Sequence, residues 1–361
     1  MPDKKNILVC PLDWGLGHAT RCVPIIQKLT NSGANVIIGA DGRPLALLKK
    51  EFPTLQFINF PGYKINYPAN GSMTIKMLFL SPRILIGIKK EHKLVEEIIK
   101  EYDIDALISD NRYGLWSKSI KCIFITHQIS IQTPNWLKLF KKRIFKLNKH
   151  YIDRFTECWI PDFKKGLNLS GRLTDNYSLF NNIFFIGPLS RFKNNNIVKS
   201  EANIYDILFI ISGPEPQRTI FEDIVLEQAI INNSLKIIIV RGITESDEVK
   251  QVSENITMIN NLGTNELMDM ILSSSLIICR PGYSSIMDMV TLSKNAIFVP
   301  TPGQTEQIYL AYHLKKKSAF YYVNQINFNI SFAIENSKYY QGMVNKITAD
   351  PLEERINLLL R

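Results

Sequence analysis

Leu276-Ile277-Ile278-Cys279-Arg280-Pro281-Gly282-Tyr283-Ser284-Ser285-Ile286-Met287-Asp288 begins as an apolar run of strand type and turns polar at Arg280. Gly282 predicts a turn, and the residues after it predict a helix over 284–292 with Asp288 inside it. A strand whose carboxyl end feeds a helix start suits a nucleoside diphosphate, because the first N–H groups of a helix lack partners and point at the ligand. Arg280, Gly282, Tyr283 and Ser284 stand where the diphosphate would meet that helix, and the Asp288 carboxylate can accept hydrogen bonds from both ribose hydroxyls. A second short strand, 296–299, leads into Pro302-Gly303-Gln304-Thr305-Glu306-Gln307. Gln304, Glu306 and Gln307 are side chains of the kind that read sugar hydroxyls, although an acidic residue at a helix start also simply complements the helix dipole. A nucleotide site beside a sugar site points to sugar transfer.

Strands and helices alternate upstream of this stretch. Strand 206–211, helix 217–232, strand 235–240, a short strand near 256–259, helix 264–273 and strand 275–279 precede it, and helix 305–316 follows. The first half has the same rhythm: strand 6–11, helix 19–32, strand 35–39, strand 55–60, helix 84–102, and strands 105–109, 121–126, 157–160 and 183–186. Between the halves, 188–203 is polar and rich in Asn and Lys, the composition of a linker. This βαβ succession predicts an α/β fold of two Rossmann-like, doubly wound domains facing a central cleft. Their expected bounds are 1–190, acceptor-binding, and 204–340, nucleotide-sugar-binding, with 341–361 as a helix packing back.

A chain of 361 residues that is 45% hydrophobic has the length and composition for two buried cores. Its five cysteines have neither CxxC pairing nor metal-ligand spacing, which predicts reduced, buried thiols. The N-terminus enters a strand at once, and no apolar run nears the ~20 residues that span a bilayer. A cytoplasmic location is the expectation. The net charge of +10 suits anionic partners. Part of it is concentrated in Lys138, Lys141, Lys142, Arg143, Lys146, Lys149 and His150, interleaved with Trp136, Leu137, Leu139, Phe140, Ile144, Phe145 and Leu147. With the apolar stretch 77–88, this segment suits docking on an anionic membrane surface; it equally suits a buried interdomain helix with a solvated cationic face.

Four further motifs lie at predicted strand ends. Asp13-Trp14-Gly15-Leu16-Gly17-His18 follows the first strand; Gly15 and Gly17 let the backbone approach a ligand, and a histidine there can be a general base. The same residues also make a plain turn with a capping imidazole. GxGxxG fails, because Thr20 stands where the third glycine belongs. Asp110-Asn111-Arg112 and His127-Gln128 close two more strands; Asp110 is a candidate to orient the base, or a satisfied strand-end carboxylate. Ser212-Gly213-Pro214-Glu215-Pro216-Gln217-Arg218 opens the second half, where Ser212, Gly213 and free N–H groups would hold a phosphate and Arg218 would add a charged fork, although two prolines remove two donors. Asp103-Ile104-Asp105 spells a metal–nucleotide motif, but it precedes a strand and so lies at the wrong end of the sheet; no metal is expected.

With those residues in hand, the chain resembles the GT-B glycosyltransferases, and within them glycosyltransferase family 28, the family of the N-acetylglucosaminyltransferase of peptidoglycan synthesis. The likeness is specific over 276–313 and 12–24. It implies that Asp288 binds ribose, as aspartate where the family has glutamate, that Glu306 and Gln307 bind the donor sugar, and that His18 is the base. It also implies that the backbone near Leu262 cradles uracil. Gly187-Pro188 and Arg191 resemble the family's stretch before the linker, whereas His127-Gln128-Ile129-Ser130 only partly matches its acceptor segment, so a peptidoglycan role is not carried over.

The expectation is therefore an inverting, metal-independent transfer of a sugar, GlcNAc-type by resemblance, from a UDP-sugar to an acceptor that a lipid could carry. No cofactor is expected beyond the UDP-sugar substrate. A UDP-sugar hydrolase or epimerase on the same scaffold is the alternative enzyme. A noncatalytic nucleotide sensor or a nucleic-acid-binding protein is the alternative of another class, although no stacking-aromatic motif supports the latter.

Overall fold

The computed structural model describes residues 4–62, 73–132, 139–164, 166, 168–192, 204–244, 246–343 and 350–361, with the side chains of 73–82 outside that description. The chain divides into two compact units, with the boundary after Ser190 and a return to the first unit near the C-terminus. The expected linker residues 193–203 and the basic-segment residues Trp136, Leu137 and Lys138 lie outside the described residues.

In the first unit, the strands β1 (Asn6–Pro11), β2 (Asn35–Ala40), β3 (Gln56–Asn59), β4 (Ala106–Asp110), β5 (Lys121–Ile125), β6 (Glu157–Ile160) and β7 (Ile183–Phe185) form one sheet in the order β3-β2-β1-β4-β5-β6-β7. Every pairing is parallel. Central strands of such a sheet are covered on both faces, which is why Ala106–Asp110 is buried throughout. The helices are α1 (Leu16–Asn31), α2 (Gly42–Glu51), α3 (Met73–Glu101) and α4 (Lys141–Ile152). The order reverses between β1 and β4, and at such a switch point the loops diverge and leave a crevice at the carboxyl ends of the strands.

The second unit repeats the plan. Strands β8 (Tyr205–Ile210), β9 (Ile237–Val240), β10 (Val249–Ser253), β11 (Ile256–Ile259), β12 (Ser274–Cys279), β13 (Ala296–Phe298) and β14 (Tyr321–Tyr322) run in the order β10-β11-β9-β8-β12-β13-β14. Only β10 is antiparallel, as an edge hairpin with β11. Helices α5 (Gln217–Ile231), α6 (Thr264–Leu272), α7 (Tyr283–Thr291), α8 (Thr305–Lys316) and α9 (Ile330–Ser337) complete the unit. Its switch point lies between β8 and β12.

Two helix boundaries differ from the sequence-based expectation, and two elements were not expected. Helix α1 starts at Leu16, so Gly17 and His18 fall inside its first turn. Helix α3 starts at Met73 and runs through Pro82. The exposed hairpin strand β10 and helix α2 carry weak signals: β10 has a single valine on each face among polar residues, and α2 opens with Gly42-Arg43-Pro44, which reads as a turn. Asp41 caps α2, its carboxylate accepting from the Gly42 N–H at 2.7 Å.

Helix α10 (Pro351–Leu359) belongs to the first unit. Lys28 Nζ pairs with Asp350 at 2.8 Å, and Arg355 pairs with Glu157 while its guanidinium lies 3.8 Å from the Phe184 ring centroid. The five cysteines are free and buried. Among the described residues, no helix is long and apolar enough to cross a membrane.

Candidate active site

His18 and Asp110 come together because their strands are neighbours. Pro11 of β1 is in register with Asp110 of β4, and α1 leaves β1 just above that pair. Helix α1 has neither a side-chain cap nor an acidic residue in its first turn. His18 Nδ1 stands 3.0 Å from Asp110 Oδ2, with the imidazole side chain 20% exposed and the carboxylate fully buried.

Arg21, one turn further along α1, is the residue that the sequence reading missed. Its Nε donates to both Asp110 oxygens at 2.8 Å, and its Nη2 makes a further, short contact with Oδ1. The same guanidinium reaches His127 Nδ1 at 3.3 Å and His18 Nδ1 at 2.9 Å. The available signal was spacing: residues i and i+3 share a helix face, so a site that uses His18 also meets Arg21.

The charges set the protonation states. Burial works to raise the Asp110 pKa, but Arg21 and His18 outweigh it and hold the group below its usual range, as a carboxylate. Burial lowers the His18 pKa and Arg21 adds to this, against the pull of Asp110. His18 is therefore a neutral imidazole at pH 7. A guanidinium only donates and a carboxylate only accepts. Nδ1 can thus donate to Asp110, leaving Nε2 as a free base, or accept from Arg21, putting the ring proton on Nε2.

The walls of this site are buried polar pairs. Arg112 is completely buried; its Nε donates to Glu91 at 2.9 Å, its other nitrogens to the Phe60 and Pro61 carbonyls, and it stacks on Phe60. Asn111 takes φ 58, a left-handed conformation that Asn tolerates. Beyond β5, His127 is buried, and Asn148 of α4 holds the Gln128 and Ile129 carbonyls. Asp105 accepts from the Asn6 N–H at 2.7 Å, at the opposite end of the sheet from His18. Gly15 flanks the start of α1 and Gly17 lies in its first turn.

In the second unit, the turn after β8 carries a half-buried Ser212 and an exposed Gly213 at φ 112. Two expectations are corrected here. Arg218 does not offer its fork to a phosphate: Nε bonds Glu215 at 2.5 Å, Nη1 bonds Glu222 at 2.6 Å and Nη2 bonds Thr219. The first turn of α5 is also occupied, with the Arg218 N–H on the Pro214 carbonyl and the Thr219 N–H on the Glu215 carboxylate. Glu222 binds Arg241 as well, at 2.6 Å, and Arg241 Nη1 reaches Asn260 at 2.7 Å. Burial would raise the Glu222 pKa, but Arg241 and Arg218 hold it low. This network ties α5 to the ends of β9 and β11.

Arg280 is the third correction. It is 1% exposed, and its guanidinium donates to the Val299 carbonyl at 2.9 Å, the Gln217 carbonyl at 3.2 Å and Gln325 Oε1 at 2.6 Å, while lying 4.1 Å from the Phe221 ring centroid. A side chain at the end of a central parallel strand points into the layers covering the sheet, so Arg280 braces the loops from below instead of meeting a ligand directly. Tyr283, first residue of α7, is likewise buried in the core. Gly282 flanks α7, and Ser284 and Asp288 remain half-buried on it, Asp288 one turn beyond Ser284.

After β13, Gln307 Oε1 accepts from the Thr301 N–H at 2.8 Å, so its carbonyl end braces the loop. Gln304 flanks the start of α8, and Glu306 sits in its first turn. Leu262 is half-buried in the loop between β11 and α6. Loops carrying Ser212, Gly282 and Gln304 thus leave three adjacent strands, β8, β12 and β13, at the same edge.

Residues 207–337 match the glycosyltransferase family 28 C-terminal domain. A Methanosarcina acetivorans protein described as an uncharacterized glycosyltransferase is 24% identical over 324 residues, covering 84% of this chain and 81% of that protein. The structure of Arabidopsis thaliana UGT89C1 complexed with UDP-L-rhamnose superposes with a TM-score of 0.62 at 14% identity, covering 99% of this chain and 94% of that one. Acinetobacter baumannii MurG superposes with a TM-score of 0.53 at 13% identity, covering 99% of each chain.

Proposed function

Since the chain is a glycosyltransferase of the GT-B fold, with a family 28 C-terminal domain over 207–337, we propose that it moves a sugar from a UDP-sugar donor held by the second unit, with inversion and without a metal. The observation that carries this reading is the His18–Asp110 pair. A buried carboxylate that accepts from Nδ1–H orients the ring and leaves Nε2 as the base that takes the proton of the acceptor hydroxyl as its oxygen attacks the anomeric carbon, whose bond to the diphosphate oxygen breaks and releases UDP. Asp110, held ionised by Arg21, stabilises the imidazolium that forms. The donor side is supported by the half-buried Asp288, whose carboxylate would accept from the ribose hydroxyls, and by the Gln307 amide and Glu306, which would read the sugar. Uridine as the base is favoured by the complex of UGT89C1 with UDP-L-rhamnose.

Turnover of a panel of UDP-sugars with and without candidate acceptors tests the reading. Transfer that requires an acceptor supports it. Release of free sugar at the same rate without any acceptor would make the protein a hydrolase.

We further propose that α4 rests on an anionic phospholipid surface, where a lipid-linked acceptor would be presented. Lys141, Lys142 and Arg143 fill the first turn of α4, where no acidic residue and no side-chain cap is present. Cations at that end oppose the helix dipole, each by roughly 0.3–1 kcal/mol. Beside them Leu139 is 92% exposed, and Phe140 and Leu147 are exposed as well. Anionic head groups would reverse the dipole cost and cover the apolar side chains together. Lys149 is less available, being paired with Asp153 at 2.6 Å.

A further inference from the structure

Thr301, in the loop after β13, is 2% exposed, and its Oγ1 has no hydrogen-bond partner among the described residues. Its backbone is fixed on both sides: the N–H donates to Gln307 Oε1 at 2.8 Å, and the carbonyl accepts from the Gln304 N–H at 3.1 Å. Buried polar groups in native proteins are nearly always partnered, and an idle one weakens the fold. This hydroxyl is held still and left idle.

The hydroxyl faces the turn between β8 and α5. A Cβ built on Gly213 would find Thr301 Oγ1 at 4.0 Å and no other atom so near. Gly213 has no Cβ, and its φ of 112 is one that glycine adopts without strain. No Cβ on the turn therefore stands in the way of an atom approaching the hydroxyl, which is itself closed to an oxygen-sized atom until the turn yields.

The surrounding charge favours an anion on that ground. Arg280 links the Val299 carbonyl, two residues before Thr301, to the Gln217 carbonyl at the start of α5. It thus lies under both segments that border the opening. Among the described residues no carboxylate pairs with it, and its donors reach only neutral oxygens. A buried cation without a counter-ion is unfavourable unless a ligand supplies the charge. Glu215 and Glu222, by contrast, are both bound to Arg218.

We propose that Thr301 is a donor-site residue whose hydroxyl, reached across Gly213, donates a hydrogen bond to a charged phosphoryl oxygen of the nucleoside diphosphate. The proposal rests on the donor reading of the second unit. It adds a ligand contact from the strand after Arg280, one that neither the helix starts nor the arginines provide.

Thr301→Val keeps the shape and removes the hydroxyl, while Thr301→Ser keeps the hydroxyl. Both are compared with the wild type by thermal melting without ligand and by calorimetric titration with UDP and with TDP. Thr301→Val is expected to melt no lower than the wild type, since it deletes an idle buried group, and to lose about tenfold to a hundredfold in affinity for whichever diphosphate binds. Thr301→Ser is expected to bind like the wild type. A Thr301→Val protein that binds as tightly as the wild type overturns the contact and leaves the donor reading standing. One that melts well below the wild type without ligand shows a structural partner for the hydroxyl and also overturns it. A wild type that binds neither UDP nor TDP overturns both readings.

Discussion

Asp110 at the end of β4 and His18 in the first turn of α1 stand 3.0 Å apart, ninety-two residues distant in the chain. His18→Ala is expected to lower transfer by ~10²–10⁴, the usual effect of losing a positioned base, while UDP binding by calorimetry stays unchanged. Undiminished turnover would remove His18 from the mechanism.

The pH dependence follows from the same pair. Burial and Arg21 lower the His18 pKa below the ordinary imidazole value of 6.5, so the neutral base persists as the pH falls below that point. The acid limb of kcat/KM is expected below pH 6.5. The stability linkage has the matching sign: this contribution is present above pH 6.5 and is lost as the pH falls toward the depressed value, because the unfolded state binds the proton more readily. An acid limb well above pH 6.5 would contradict the assignment.

Arg21 and Asp110 act on that limb in opposite directions. Arg21→Gln removes a cation beside the imidazole and should move the limb to higher pH; Asp110→Asn removes the anion and should move it lower. Asp110→Asn should also destabilise the fold by ~3–5 kcal/mol, since it breaks a buried pair and strands the Arg21 charge. Urea unfolding and a pH–rate profile on each variant read both effects.

Asp288→Ala is expected to weaken UDP binding by about tenfold or more, the cost of losing charge-assisted hydrogen bonds to ribose, with little change in unfolding free energy because the side chain is half-buried. Unchanged calorimetric affinity would place the ribose elsewhere.

Arg280→Ala removes the guanidinium donor from the Val299 and Gln217 carbonyls and from Gln325 Oε1. At ~1–3 kcal/mol for each unmade buried bond, a loss of at least ~3 kcal/mol in urea unfolding is expected. Arg280→Met should lose less, because it fills the space over Phe221 and removes a buried charge.

Reversing Lys141, Lys142 and Arg143 to Glu is expected to abolish co-sedimentation with anionic liposomes while leaving turnover of a water-soluble acceptor intact. It should also raise the helicity of α4, since acids suit a helix start. Wild-type binding should fall steeply as salt shortens the Debye length. Binding that ignores salt would argue against an electrostatic surface.

The alternation of apolar runs with helical segments made the two-sheet plan legible, because a strand covered on both faces must be apolar along its length, as Ile237–Val240 is. Strand ends followed by Gly and polar residues marked the loops of His18, Ser212, Gly282 and Gln304, since ligands collect where parallel strands end. Arg21 is legible only through its helical spacing from His18, and its bonds to Asp110 are not, because nothing local announces that distant partner. Thr301, between Pro300 and Pro302, carries no local signal of a ligand role.

Sequence alone determined which residue types stand at the strand ends, because hydrophobic period and turn chemistry are local properties of the chain. Tertiary structure decided what those residues do with their hydrogen bonds. Arg218 and Arg280 looked alike as phosphate ligands, yet one is bound to Glu215 and Glu222 and the other to three oxygens in the core. Asp110, by contrast, gained His18 and Arg21 as partners only once β1 and β4 lay side by side. A donor in water is free to choose its acceptor. Packing removes the water, and the acceptor nearest in space, however distant in the chain, takes the bond.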